Sequence, residues 1–157
     1  MHNSKLIDSF VCKIGLLQDF QLEIQNFPQS LSIFKSHWFK LDNLLLAAKS
    51  CVFIDLNHSR LTNKDLDVFM ESWNSGEFRN LQLLHVNGIF NSRDTIAGRK
   101  PDELMSQEGG VRMEKIICGQ RINIDRGVRI QNENGVEAEI EMQLSWGPQN
   151  YFIMFVL

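Results

Sequence analysis

Three of the chain's four histidines, its three cysteines and one run of alternating glutamates are the residues whose types could do chemistry. A hydrolytic site needs a nucleophile, a base and a group that orients the base. His37, His58 and His85 are the candidate bases, with Cys51, Ser59 or an aspartate as partners, but they show neither H-x-x-x-H spacing nor a nucleophile elbow. Glu137, Glu139 and Glu141 fall on one face of a strand, where they mimic a carboxylate cluster. Apolar residues alternate with them and no histidine shares the motif, so the pattern predicts a solvated strand surface rather than a metal or acid/base site. Gly98 and Gly109-Gly110 lack the fixed spacing and the lysine of a phosphate cradle and read as turns. The expectation is a chain with no catalytic residues, metal or cofactor.

The elements that would position any site come from the apolar periodicity. In Cys51-Val-Phe-Ile54-Asp-Leu56-Asn-His-Ser59-Arg-Leu61 the residues Cys51, Ile54, Leu56 and Leu61 follow the leucine-rich-repeat order, with Ser59 where asparagine is usual. Leu81, Leu84 and Val86 repeat part of that order about 30 residues on. Between the two copies, Thr62 and Asp65 form a capping box. Leu66, Phe69, Met70 and Trp73 then share one helical face, and Ser75-Gly76 supplies the stop. Residues 41–48 predict a shorter helix. Leu22 and Ile24, alternating with Glu23 and Gln25, predict a further strand ahead of Pro28, giving three strand units in series.

Beyond residue 90 the character changes. Asn91 to Gly110 is polar and reads as a mobile loop with one proline-started turn at Pro101. Asn134-Gly135 predicts a two-residue hairpin turn between alternating strands, and Tyr151 to Leu157 predicts a buried strand ending a meander. The fold class expected is α/β, with short leucine-rich-repeat-like strand–helix units followed by an antiparallel C-terminal hairpin and meander. One domain over 1–157 is divided as a strand unit (1–30), a repeat-like core (31–90), a loop (91–110) and an antiparallel segment (111–157).

A net charge of −3 and pI near 5.8 exclude the basic face of a nucleic-acid binder. Charged residues interrupt the N-terminus, and no apolar run approaches a membrane span, so an intracellular protein of cytoplasm or nucleus is expected. Cys12, Cys51 and Cys118 are odd in number and lie in apolar strand-like text; they read as small core residues in a reducing compartment. The Asn57-His-Ser59 sequon carries no weight in such a setting.

If Leu22, Ile24, Ile54, Leu56, Leu84 and Val86 face inward, their alternating neighbours Glu23, Gln25, Asp55, Asn57, His85 and Asn87 form one polar strip on the opposite face. Repeat proteins use such open strand faces to bind other proteins. That strip is the candidate site.

Trp38 to Leu46, Cys51 to Leu56, Leu61-Thr-Asn-Lys-Asp65-Leu66 through Phe69 and Trp73 to Gly76, and Leu81 to Val86 together resemble the F-box associated type-2 domain expanded in nematodes. The likeness runs from about residue 30 through the hairpin Arg129 to Ile140 and the aromatic strand Phe152 to Val156. Arg129 stands where the family has Asp, and Asn132 where it has Arg, so a charge pair of the family is expected to be missing. The resemblance implies a non-enzymatic protein-binding domain that holds the substrate of a cullin-type ubiquitin ligase. The Skp-type adaptor would be a partner only if an F-box is supplied elsewhere, since no Leu-Pro-led helical F-box precedes Phe20. A decoy or structural paralogue uncoupled from the ligase, and a small hydrolase, are the alternatives.

Overall fold

Short runs with an apolar residue at every second position form strands here because one side of each run can be buried while the other is not. The computed structural model describes residues 9–12, 27–105, 112–124, 127–145 and 150–157. Four such runs lie parallel and in sequence order: β1 (Ser9–Cys12), β2 (Ser30–Ile33), β3 (Phe53–Leu56) and β4 (Leu83–Asn87). Helix α1 (Leu41–Ala48) joins β2 to β3, and α2 (Asn63–Asn74) joins β3 to β4. The register is in step across the units, with Leu31 beside Ile54 and Ile54 beside Leu84.

Both helices cover the same side of these strands. Leu31, Ile33, Ile54, Leu56, Leu84 and Val86 share one core with Leu44, Ala47 and Ala48 of α1 and Leu66, Phe69, Met70 and Trp73 of α2. The start of α2 is the expected capping box: Thr62 N–H donates to Asp65 Oδ2 at 2.8 Å, and Thr62 Oγ1 accepts from Asp65 N–H at 3.4 Å. Gly76 follows the helix at φ +92°, a conformation that favours glycine. Ser59 is buried, its Oγ accepting from Leu61 N–H at 3.0 Å and its N–H donating to Asn87 O at 2.8 Å.

Two further hairpins follow. β5 (Met113–Ile117) and β6 (Gln120–Ile124) form a separate two-stranded sheet. β7 (Val128–Gln131), β8 (Glu137–Gln143) and β9 (Tyr151–Val156) form the expected meander. β9 inserts between β8 and β4, so the main sheet has seven strands in the order β1-β2-β3-β4-β9-β8-β7, parallel in its first half and antiparallel in its second.

Several expectations are corrected. The strand predicted around Leu22 and Ile24 falls largely outside the described residues, and the place beside β3 belongs to β2. Residues 91–105 are not a loose loop: Ile96 and Leu104 are fully buried, and Asn63 of α2 holds the segment by donating to the carbonyls of Asn91 and Asp94. The hairpin loop at Asn134-Gly135 is five residues, 132–136, because Asn132 folds inward and gathers it: its Oδ1 accepts from Asn134 and Val136 N–H. Cys51 is core, as read, but Cys118 sits exposed in the β5–β6 turn with φ +50°. Among the described residues no helix is long and apolar enough to cross a membrane.

Candidate functional site

Alternation places Ser32, Asp55, His85, Ile153 and Glu141 in one row across the sheet, on the face opposite the helices. At its centre the Nδ1 N–H of His85 donates to Asp55 Oδ1 at 2.7 Å. The carboxylate can only accept, so this contact sets the tautomer of the ring. Asn57 Nδ2 donates to the same oxygen at 3.2 Å, and the His85 ring lies 5.7 Å from that of Tyr151, centroid to centroid. The Tyr151 hydroxyl donates to Glu141 Oε1 at 3.2 Å, and Asn87 is the cross-strand partner of Tyr151. Asp55, Asn57, His85 and Asn87 are therefore brought together, half-buried rather than fully exposed. Glu23 and Gln25 lie outside the described residues; Ser32 holds the register position beside Asp55.

The next row of the same face is apolar where the strip alone was expected. Phe53, Leu83 and Phe155 are buried under Ile117 and Ile124 of the β5–β6 hairpin. Lys115 pins that hairpin down, its Nζ donating to Val156 O at 3.2 Å and lying 5.4 Å from the centre of the Phe155 ring. The polar strip is thus bounded on one side by a covered apolar row. Two of the three glutamates correct the reading of a solvated surface: Glu139 is 2% and Glu141 4% exposed, while Glu137 is exposed as read. Arg129 Nη2 donates to Glu139 Oε1 at 3.2 Å, leaving the buried Oε2 without a hydrogen-bond partner among the described residues, and Tyr151 donates to Glu141 Oε1. Arg129 and Asn132, the two departures from the family pattern, each find a partner, Asn132 Nδ2 donating to Trp73 O at 3.2 Å.

An aspartate orienting a histidine is the supporting half of a nucleophilic triad. Ser59, the sequence's candidate hydroxyl, is buried and turned to the Leu61 amide, and His58 Nδ1 lies 3.1 Å from the Phe34 carbonyl oxygen. Cys51 donates its thiol proton to Pro28 O at 3.1 Å, and burial, with a smaller contribution from Cys118, pushes its pKa up to about 12. A thiol so held is a poor nucleophile. Among the described residues no group of three or more His, Cys, Asp or Glu could hold a metal ion.

The units that carry the strip, β2 through β4 with their two helices, coincide with a known sequence family. Residues 19–86 match the F-box associated family model. The F-box associated segment covers fewer than half of the 157 residues and ends at Val86 in β4, so the C-terminal meander lies beyond it. Asp55, Asn57 and His85 belong to the F-box associated segment; Asn87 follows it directly and Tyr151 and Glu141 come from outside. No curated protein and no solved structure matches the chain.

Ser32 and Tyr151 were missed by sequence reasoning, and Glu141 was read as solvated strand surface. Tyr151 is the sole tyrosine and opens an apolar run, a weak signal, but its place beside His85 depends on β9 pairing with β4, which no local pattern encodes.

Proposed function

We propose that the chain is a non-enzymatic protein-interaction domain and acts as the substrate-holding part of an F-box-type protein in a cullin ubiquitin ligase. The F-box associated match is the observation that carries this reading. The Asp55–His85 contact supports the placement of the binding surface, because it holds two polar side chains rigid on an otherwise open strand face, with Asn57 and Asn87 beside them. Rigid polar groups lose little side-chain freedom when a partner docks. Glu23 and Gln25 complete the surface in this reading, the strand–helix units are leucine-rich-repeat-like, and the protein works in the cytoplasm or nucleus. The partner is a protein substrate, and the Skp-type adaptor binds only where an F-box is supplied.

The test is affinity purification of the tagged chain with mass spectrometry, run beside a variant with Asp55, Asn57, His85 and Asn87 all changed to alanine. Loss of the parent's partners from a variant that melts like the parent supports the reading. Retention of every partner removes the strip from it.

A further inference from the structure

The carboxyl ends of β2, β3 and β4 carry a second surface, distinct from the strip. Phe34 follows β2 and is 50% exposed; Ile89 follows β4 and is 59% exposed; His58, also exposed, follows β3 and meets the Phe34 ring edge-on at 5.2 Å. Large apolar side chains at the surface are ordinary when scattered singly. Here they stand on three loops stitched to one another. Ser36 N–H and Oγ both donate to Asn57 O at 2.9 and 2.8 Å, Ser59 N–H donates to Asn87 O, and Ile89 N–H donates to Leu61 O at 2.9 Å. His58 is held at φ +51°, left-handed backbone that a non-glycine residue adopts only when its surroundings impose it. The rim is built stiff around exposed apolar groups.

Its charge is opposite in sign to that of the whole chain. Among 34–42, 57–61 and 88–90 the exposed cations are Lys35, Lys40 and Arg60, against one exposed carboxylate, Asp42, in a protein of net charge −3. Lys40 and Arg60 reach into an open groove of about 490 Å³, floored by Phe39 and Leu61. Asp42 and Asp65 also line that groove, and Asp65 is engaged by Thr62. The groove itself is charge-balanced, so the cationic excess belongs to the exposed rim side chains Lys35, Lys40 and Arg60, and three separate cations in an acidic chain suit a short run of carboxylates better than the continuous polyanion of a nucleic acid.

We infer that this rim docks an acidic peptide segment of another protein, with a large apolar side chain of the peptide against Phe34 and Ile89 and its flanking carboxylates on Lys35, Lys40 and Arg60. The inference rests on the protein-interaction reading above but names a different surface and the chemistry of its occupant. Apolar anchors would supply the affinity, and the cations its selectivity and salt dependence.

The experiment is selection of a phage-displayed random peptide library on the immobilised chain, followed by fluorescence anisotropy with the most enriched peptide, labelled. The expected peptides place Asp or Glu beside Phe, Trp or Leu. Phe34→Ala with Ile89→Ala should weaken binding about tenfold or more, and Lys35→Glu with Arg60→Glu should do the same while flattening its salt dependence. Asp55→Asn with His85→Ala should leave it unchanged, and all three variants should melt with the parent. Enrichment of basic or purely apolar peptides, equal binding to both rim variants, or tighter binding of an oligouridylate would overturn the inference. Binding lost in the Asp55/His85 variant alone would overturn the rim while sparing the strip; an absence of any peptide binder would tell against both.

Discussion

Asn132, in the hairpin loop between β7 and β8, donates its side-chain amide to the main-chain carbonyl of Trp73 in the last turn of α2, 3.2 Å away and 59 residues distant in sequence. The same side chain accepts two amides of its own loop, and the neighbouring Glu133 N–H donates to Asn74 O at 3.0 Å. One buried amide thus joins the strand–helix segment that matches the F-box associated model to the meander. Helix termini leave carbonyls without intrahelical partners; Trp73 O accepts from Gly76 N–H as well as from Asn132, and Glu133 N–H satisfies Asn74 O.

Asn132→Ala should therefore destabilise the protein by about 2 to 3 kcal/mol, since it removes three hydrogen bonds at a buried position and strands backbone groups. Urea unfolding followed by circular dichroism measures this. A change below about 0.5 kcal/mol, the usual size for a surface substitution, would show that the contact does not bind the two halves together.

Trp73→Ala tests the other side of the same junction. The indole is buried among Leu66, Phe69 and Met70 against the sheet, and its removal should cost about 3 to 5 kcal/mol, enough to unfold a marginal domain. An unchanged melting temperature would contradict the packing.

The parallel half was legible for a physical reason. Leu66, Phe69, Met70 and Trp73 recur at helical spacing, and Thr62 with Asp65 announces the helix start, so both face and boundary follow from local residues. Ile54, Leu56, Leu84 and Val86 likewise mark their inward face by alternation. The meander's internal order was readable, but its attachment was not: pairing of Tyr151–Val156 with Leu83–Asn87 is set by long-range packing. For the same reason the burial of Glu139 and Glu141 could not be seen, because the side chains that hydrogen-bond them, Arg129 and Tyr151, lie on neighbouring strands. β2 was missed because Ser30-Leu-Ser-Ile33 is too short to show a period.

The Asp55–His85 pair should contribute little to stability and much to the shape of the strip. Both side chains are about a quarter exposed, so a double-mutant cycle with Asp55→Asn and His85→Ala should return a coupling of about 0.5 to 1 kcal/mol. A coupling several-fold larger would mean a more desolvated pair, closer to an active-site dyad than to an interaction surface.

Alkaline pH should weaken the fold through Cys51. Its thiol is held neutral, with the pKa raised from 9.0 to about 12, so the folded state keeps a proton that the unfolded state releases. The stabilisation is fully present below pH 9 and is lost progressively as pH rises toward 12. Compared with Cys51→Ala, the parent should lose stability more steeply across that window in denaturant titrations. Parallel pH profiles would refute the linkage.

The insertion of β9 between β4 and β8 has a consequence for synthesis. On a ribosome, β1 through β4 and both helices emerge well before Tyr151–Val156, and until those residues follow, β4 and β8 each present an unpaired strand edge. Open edges recruit other strands. The nascent chain must therefore keep two apolar sheet halves apart from each other and from neighbours while about 60 intervening residues are made, closing only when its last strand slides between them. Any loss of Tyr151–Val156, by truncation or frameshift, would leave that gap permanently open and turn a binding module into a template for aggregation.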